Sequence, residues 1–237
     1  ARNYVWHPTS NYNYEDKTVR PTIDAIWNTM YNNVANVNSI LKDIKSRKDL
    51  FINNEGDVLE AEALAMRAFM HFDLLRMFAP AYQDNEDRIA IPYVETYERV
   101  RYPHLPAKEI MEKVLKDLNE AEKILEASDD PILKEVICTY SGKNDFMANR
   151  QYRFNYWAVN ALKARVYLYM GDVENANHYA MKVIEESPFT WVSETDVTSG
   201  DRIFMPELIC GLNVPKLANY YETYFTSEKY SLSDGWG

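Results

Sequence analysis

The sequence predicts an all-α protein of antiparallel helix pairs with tetratricopeptide-like packing, joined by irregular aromatic loops. Three observations carry that prediction. Glycine is scarce, at 7 of 237 residues, which removes the residue whose backbone entropy most opposes helix. Apolar residues recur at alternating steps of four and three over 23–44 and 107–125, the period of one buried helix stripe. Residues 154–188 fit part of a tetratricopeptide template.

The elements follow in chain order. Residues 1–21 lack a helical period and hold Tyr4, Trp6, Tyr12 and Tyr14 among Pro, Ser and Asn, which reads as an aromatic loop. Thr22 is a candidate N-cap. Ile23, Trp27, Met30, Val34, Val37, Leu41 and Ile44 then form the stripe of the first long helix. A second helix over 57–78 is apolar around much of its girth, from Leu59 to Phe78, and belongs at the centre of a bundle. Pro80 ends it, and an irregular stretch holds Ile91-Pro92 and Pro103. A third helix over 107–126 turns Met111, Val114, Leu118, Ala121 and Leu125 inward. Its wet side carries Glu109/Lys113, Glu112/Lys116 and Lys116/Glu120 at i,i+4. Residues 127–150 read as a long polar loop. Two helices over 154–170 and 173–186 are split by Gly171-Asp172, a C′ glycine followed at once by an N-cap. Beyond Pro188 the period is lost; Leu208–Leu212 is a candidate short strand, and 219–225 is strongly aromatic.

In the last helix pair Ala164, Tyr167, Ala176 and Pro188 fall at the template's small residue, Tyr, Ala and closing Pro, with Gly171 in the turn. Ala180 stands where the template has Phe, and Asn160 where it has Trp. Three segments result: 1–21, an aromatic loop; 22–188, the helical domain; and 189–237, an irregular extension leading toward a C-terminal region the chain lacks.

Composition narrows the function classes. A net charge of −10 argues against nucleic acid, because phosphate binding needs a basic surface and the run Lys42–Lys48 suits a helix C-terminus. No apolar stretch is long enough to span a bilayer, and no signal peptide is visible at Ala1. Cys138 and Cys210 have no metal spacing; a disulfide is compatible, and the simpler reading is two free thiols with Cys210 buried. No phosphate-binding glycine loop, HExxH or GxSxG occurs, so no catalytic residue, cofactor or metal is assigned. His71 lies on the apolar second helix and reads as a satisfied core histidine. Arg67, Asp73 and Arg76 read as ion pairs locking neighbouring helices.

The aromatic content stands out, with 18 Tyr and 5 Trp. Such rings pair a flat apolar face with a polar handle and suit the C–H face of a sugar. Trp27, Trp157, Tyr167 and Tyr179 lie on helix faces and read as packing. Trp6, Trp191 and Trp236 lie outside the helices and are open to a ligand role.

Five segments in order resemble the SusD/RagB family. They are Ile26-Trp27 to Leu41; Glu62-Ala63 through Arg67-Ala68 to Arg76; Ile91-Pro92-Tyr93-Val94, like that family's short strand; Lys116-Asp117-Leu118-Asn119-Glu120-Ala121; and Arg153 to Asp172, with Ala164 to Tyr169 and Gly171-Asp172. The resemblance implies a non-enzymatic glycan-binding protein, lipid-anchored on the external face of the outer membrane. Such a protein serves a SusC-like TonB-dependent transporter. It implies ligand aromatics before the first long helix and after the last repeat, here Tyr4, Trp6, Tyr220, Tyr221 and Trp236. Trp6 and Trp236 lead that set, with Asn3, Asn13 or Asp234 as polar neighbours. The chain departs from the family by lacking a lipobox cysteine and the terminal segments. Two other readings stand beside this one: a tetratricopeptide scaffold for a peptide partner, and a helical glycoside hydrolase.

Overall fold

Long helices with one or more apolar faces set the architecture. The structure, a computed structural model, describes residues 6–128, 130–137 and 146–222, with the backbone alone of Trp6. Among these residues the helices are α1 (Trp6–Ser10), α2 (Arg20–Ile44), α3 (Glu55–Phe78), α4 (Ala107–Ala127), α5 (Tyr156–Met170), α6 (Val173–Glu186), α7 (Glu194–Thr198) and α8 (Leu217–Tyr221). Two short strands, β1 (Ile89–Pro92) and β2 (His104–Pro106), pair antiparallel, Ile89 opposite Pro106 and Pro92 opposite His104. The chain divides into two compact units, one of Ala1–Thr29 with Leu212–Gly237, the other of Met30–Gly211.

In the second unit α3 is the central helix. Val58, Ala61, Ala65, Ala68, Leu74 and Leu75 are fully buried, and its alanines let neighbours approach closely. It packs against α4 and α5. On its remaining side Ala63 and Met70 join Val34 and Val37 of α2 in one apolar cluster. The α4 stripe is buried as its period predicts, with Ile110, Met111, Val114, Leu118, Ala121 and Leu125 all inward. Asn54, just before α3, donates to the Ser128 carbonyl just after α4 at 2.9 Å, so the two helices run antiparallel.

The pair α5–α6 closes the array with the predicted turn. Gly171 takes φ 84°, and its N–H returns to the carbonyls of α5; the Asp172 side chain accepts from Asn175 N at 3.1 Å. Only glycine adopts that φ at low cost. Tyr167 and Tyr179 stack with centroids 5.5 Å apart and planes within 1°. Ala176 is buried, and Asn160 is buried with its amide on the Tyr156 carbonyl at 2.8 Å. Tetratricopeptide-like packing survives the two template departures.

Several local expectations are corrected. The segment 1–21 contains helix α1. Helix α2 begins at Arg20, not after Thr22: Pro21 in the first turn lacks the N–H that a helix start leaves unpaired. The preceding turn is closed by Asp16, whose carbonyl accepts from Val19 N and Arg20 N at 3.0 Å each. Residues 208–212 form no strand. They follow a 3₁₀ turn at Met205–Glu207 and reach the helical array through single bonds, Gly211 N to Gln151 O (2.8 Å) and Asn155 Nδ2 to Ile209 O (2.9 Å). Cys210 is exposed, with its thiol 3.6 Å from the Arg153 carbonyl; Cys138 lies outside the described residues. The stretch 127–150 is no plain polar loop, since Asp130, Ile132, Ala148 and Arg150 are buried within it.

Candidate functional site

Three polar networks fix the helices of the second unit. Arg67 on α3 grips Asp117 on α4 with Nε and Nη2, both at 2.7 Å, and gives Nη1 to Asn38 on α2 at 2.9 Å. The Tyr93 hydroxyl donates to the same Asp117 carboxylate at 2.7 Å. His71, fully buried, accepts the Val94 N–H at Nε2 (3.0 Å), which leaves Nδ1 protonated and donating to the Arg67 carbonyl (2.8 Å). Its ring stacks on Tyr93 at 3.9 Å. Burial drives the His71 pKa down to about 4, a shift the nearby Arg67 charge reinforces. Tyr31 on α2 donates to the Pro92 carbonyl at 2.8 Å, and Asn38 to the Val94 carbonyl at 2.9 Å. The segment 92–95 is thus strapped to three helices.

The second network centres on Arg150, which is 1% exposed. It bonds Glu62 of α3 through Nη1, Asp130 through Nε (2.6 Å) and the Phe154 carbonyl through Nη2 (3.1 Å). Arg153 adds a bond to Glu62 at 2.7 Å and covers the Phe146 ring at 4.0 Å. The third joins α4, α5 and α6: Glu122 accepts from Lys163 (2.6 Å) and Lys182 (2.8 Å), and Lys163 also donates to the Tyr179 hydroxyl (2.7 Å). The Arg67 and His71 readings hold, but Asp73 and Arg76 pair within α3 rather than across helices.

Among the described residues every carboxyl with a displaced proton affinity is displaced downward: Asp16, Glu86, Glu95, Glu122, Asp172 and Asp196. At Glu122 burial pushes the other way, and the bonds from Lys163 and Lys182 outweigh it. Among the described residues no three His, Cys, Asp or Glu side chains group as metal donors, and no helix is long and apolar enough to cross a membrane.

A cleft of about 520 Å³ lies between α2, α3, α4 and the loop after β1. Lys42, Lys45 and Lys116 line it together with Glu95, Glu98 and Glu120, so its lining is charged and of mixed sign. Lys113 pairs with Glu95 of that lining, not with Glu109 as the helix spacing predicts.

The described aromatic candidates fall in the first unit. Tyr220 and Tyr221 sit on α8, 51% and 59% exposed. Trp6 opens α1. Tyr4, Trp236, Asn3 and Asp234 lie outside the described residues. Two rings not chosen from the sequence are also exposed here: Tyr12 at 78% and Tyr14 at 52%, edge to face with centroids 6.3 Å apart. Tyr12 holds φ 56°, a left-handed conformation costly for a bulky residue, fixed by bonds from Tyr12 N to Thr9 O (3.0 Å) and Asn13 N to Pro8 O (2.9 Å). The signal was present as Tyr-Asn-Tyr in a polar stretch, but nothing in a sequence marks the backbone that turns both rings outward.

Comparison with known proteins adds the family. A SusD-like family model, described as starch-binding associating with outer membrane, matches residues 2–168. Similar solved structures include a SusD superfamily protein of Bacteroides fragilis (TM-score 0.61, 23% identity, 80% of this chain and 40% of that one). Another is a SusD superfamily protein of Bacteroides thetaiotaomicron (TM-score 0.59, 24% identity, 72% and 34%). A third is a laminarin-binding SusD-like protein (TM-score 0.56, 18% identity, 78% and 36%). At these identities the likeness is one of fold, and the chain spans 34–40% of the length of those proteins. No curated protein matches. With the family model running through α2, α3 and α4 and into α5, the chain belongs to the SusD-like family of starch-binding proteins associating with the outer membrane.

Proposed function

We propose that this chain is the helical part of a non-enzymatic surface protein that captures glycan for a SusC-like TonB-dependent transporter. In the complete protein a lipid anchor holds it on the external face of the outer membrane. Tyr4, Trp6, Tyr220, Tyr221 and Trp236 carry the sugar contact, joined by Tyr12 and Tyr14.

The observation that carries the reading is a set of four exposed tyrosines, Tyr12, Tyr14, Tyr220 and Tyr221, in the unit formed by the two chain-terminal segments. Exposed single aromatics are ordinary, but a group with two rings edge to face on a strained turn offers flat faces and hydroxyls for sugar. The family supports carbohydrate as the ligand class.

The test is affinity electrophoresis of the complete protein through gels containing starch, laminarin, xylan or mannan, with reducing sugar assayed in parallel. Retardation by at least one neutral glycan with no sugar release is expected. Migration unaffected by every gel, or sugar release lost on mutating one carboxylate, contradicts the reading.

A further inference from the structure

Beyond α6 the chain crosses the end of the α5–α6 pair and builds a groove of about 210 Å³. Val183, Ile184, Phe189 and Ile209 supply its apolar wall, and Glu207 its one charge. Trp191 stands on its rim, 74% exposed. The backbone beneath that indole is braced from both sides. Thr190 N donates to the Pro206 carbonyl at 3.2 Å, and Val192 N to Glu207 Oε1 at 2.8 Å. Ser193 then opens α7 with a capping box to Asp196: Ser193 N to Asp196 Oδ2 at 2.9 Å, and Asp196 N to Ser193 Oγ at 3.2 Å. A large apolar ring is therefore held in water by a fixed stretch of chain. Burying an indole is worth some kcal/mol through its 150–250 Å² of surface, and none of the bracing bonds needs a tryptophan.

We infer that the Trp191 groove is a second carbohydrate subsite, taking one neutral sugar ring against the indole. The proposal rests on the glycan-binding reading but uses none of its residues. Size favours a single ring, since the groove is smaller than the ~300 Å³ at which drug-sized ligands begin to fit. Charge selects among sugars. The groove has a carboxylate and the Ser187 and Thr190 hydroxyls, and among the described residues no cation lines it. Glu207 keeps one oxygen on Val192 N and can take a sugar hydroxyl on the other. A uronic or sulfated sugar would meet that carboxylate uncompensated. A second ring subsite on one protein raises the avidity of a polymer without altering the first site.

The experiment compares the complete wild-type protein with W191A, W191F and the double variant Y220A/Y221A. Each is run by affinity electrophoresis through the neutral glycan that retards the wild type and through polygalacturonate. W191A is expected to lose roughly fivefold in affinity, W191F to keep most of it, and both to melt within about 2 °C of wild type. Wild-type affinity in W191A overturns the subsite while leaving the glycan-binding reading in place. A fall of several degrees in Tm also overturns it, because Trp191 then packs against another part of the complete chain. Binding to polygalacturonate that W191A abolishes contradicts the neutral class. A wild type retarded by no glycan removes the glycan-binding reading and this proposal together.

Discussion

Arg67 and Asp117 meet through two parallel hydrogen bonds of 2.7 Å, across the α3–α4 contact, with both side chains less than a tenth exposed. The fork geometry satisfies both carboxylate oxygens, and Tyr93 and Asn38 take the remaining valences. Removing one partner leaves an uncompensated buried charge. Asp117→Ala is expected to cost about 3–5 kcal/mol in chemical denaturation. Replacing both residues by apolar ones of similar volume should cost far less than the single change. Equal losses in the two variants would mean that packing, not the charge pair, is what matters there.

His71 makes stability depend on pH in a definite sense. Its folded pKa lies near 4, below the unfolded 6.5, so the unfolded chain binds a proton that the native one refuses. Its contribution is complete above pH 6.5 and falls as pH drops toward 4, by roughly 3 kcal/mol in all. Protonation would set an Nε2–H against the Val94 N–H and detach the 92–95 strap. Urea denaturation from pH 7 to pH 4 should show this slope, and His71→Gln should flatten it. An identical slope in the variant would assign the pH dependence to other groups.

Arg150 and Arg153 share Glu62 but not its surroundings. Arg150 is 1% exposed and holds two acids, whereas Arg153 is partly open to solvent and stacks on Phe146. Arg150→Ala strands Glu62 and Asp130 and should destabilise by about 3–5 kcal/mol. Arg153→Ala should lose about 1 kcal/mol, since screening weakens its ion pair. Thermal melts of both variants check the ranking, and a reversed order refutes it.

How much of this was legible depends on whether a residue's partner is near in sequence. Helices α2, α4 and the α5–α6 turn could be read because a stripe or a Gly-Asp junction is a local signal. His71 and Arg67 could be read as satisfied groups, since a polar residue on an all-round apolar helix must find a partner. Asp117 could not be named as Arg67's partner, because it lies 50 positions away on a helix with acidic residues in several registers. Arg150 was lost for the opposite reason: a polar, loop-like composition concealed a buried cation whose acids come from α3 and from Asp130. Lys113 left its predicted helix neighbour Glu109 for Glu95 on the strap loop, a tertiary partner that outcompetes a solvated i,i+4 pair. Among the aromatics, the sequence marked Tyr220 and Tyr221 by place in the chain. Tyr12 and Tyr14 depend on a left-handed turn that only the structure displays.

The most direct measurement of the central claim is calorimetric titration of the complete protein with the neutral glycan that retards it. Wild type and Y220A/Y221A are compared, with Tm recorded for each. Both tyrosines are more than half exposed on α8, so their removal should leave Tm within about 2 °C. Two lost stacking faces should weaken binding by roughly tenfold or more. An unchanged Kd would contradict the account and move the sugar contact away from these tyrosines.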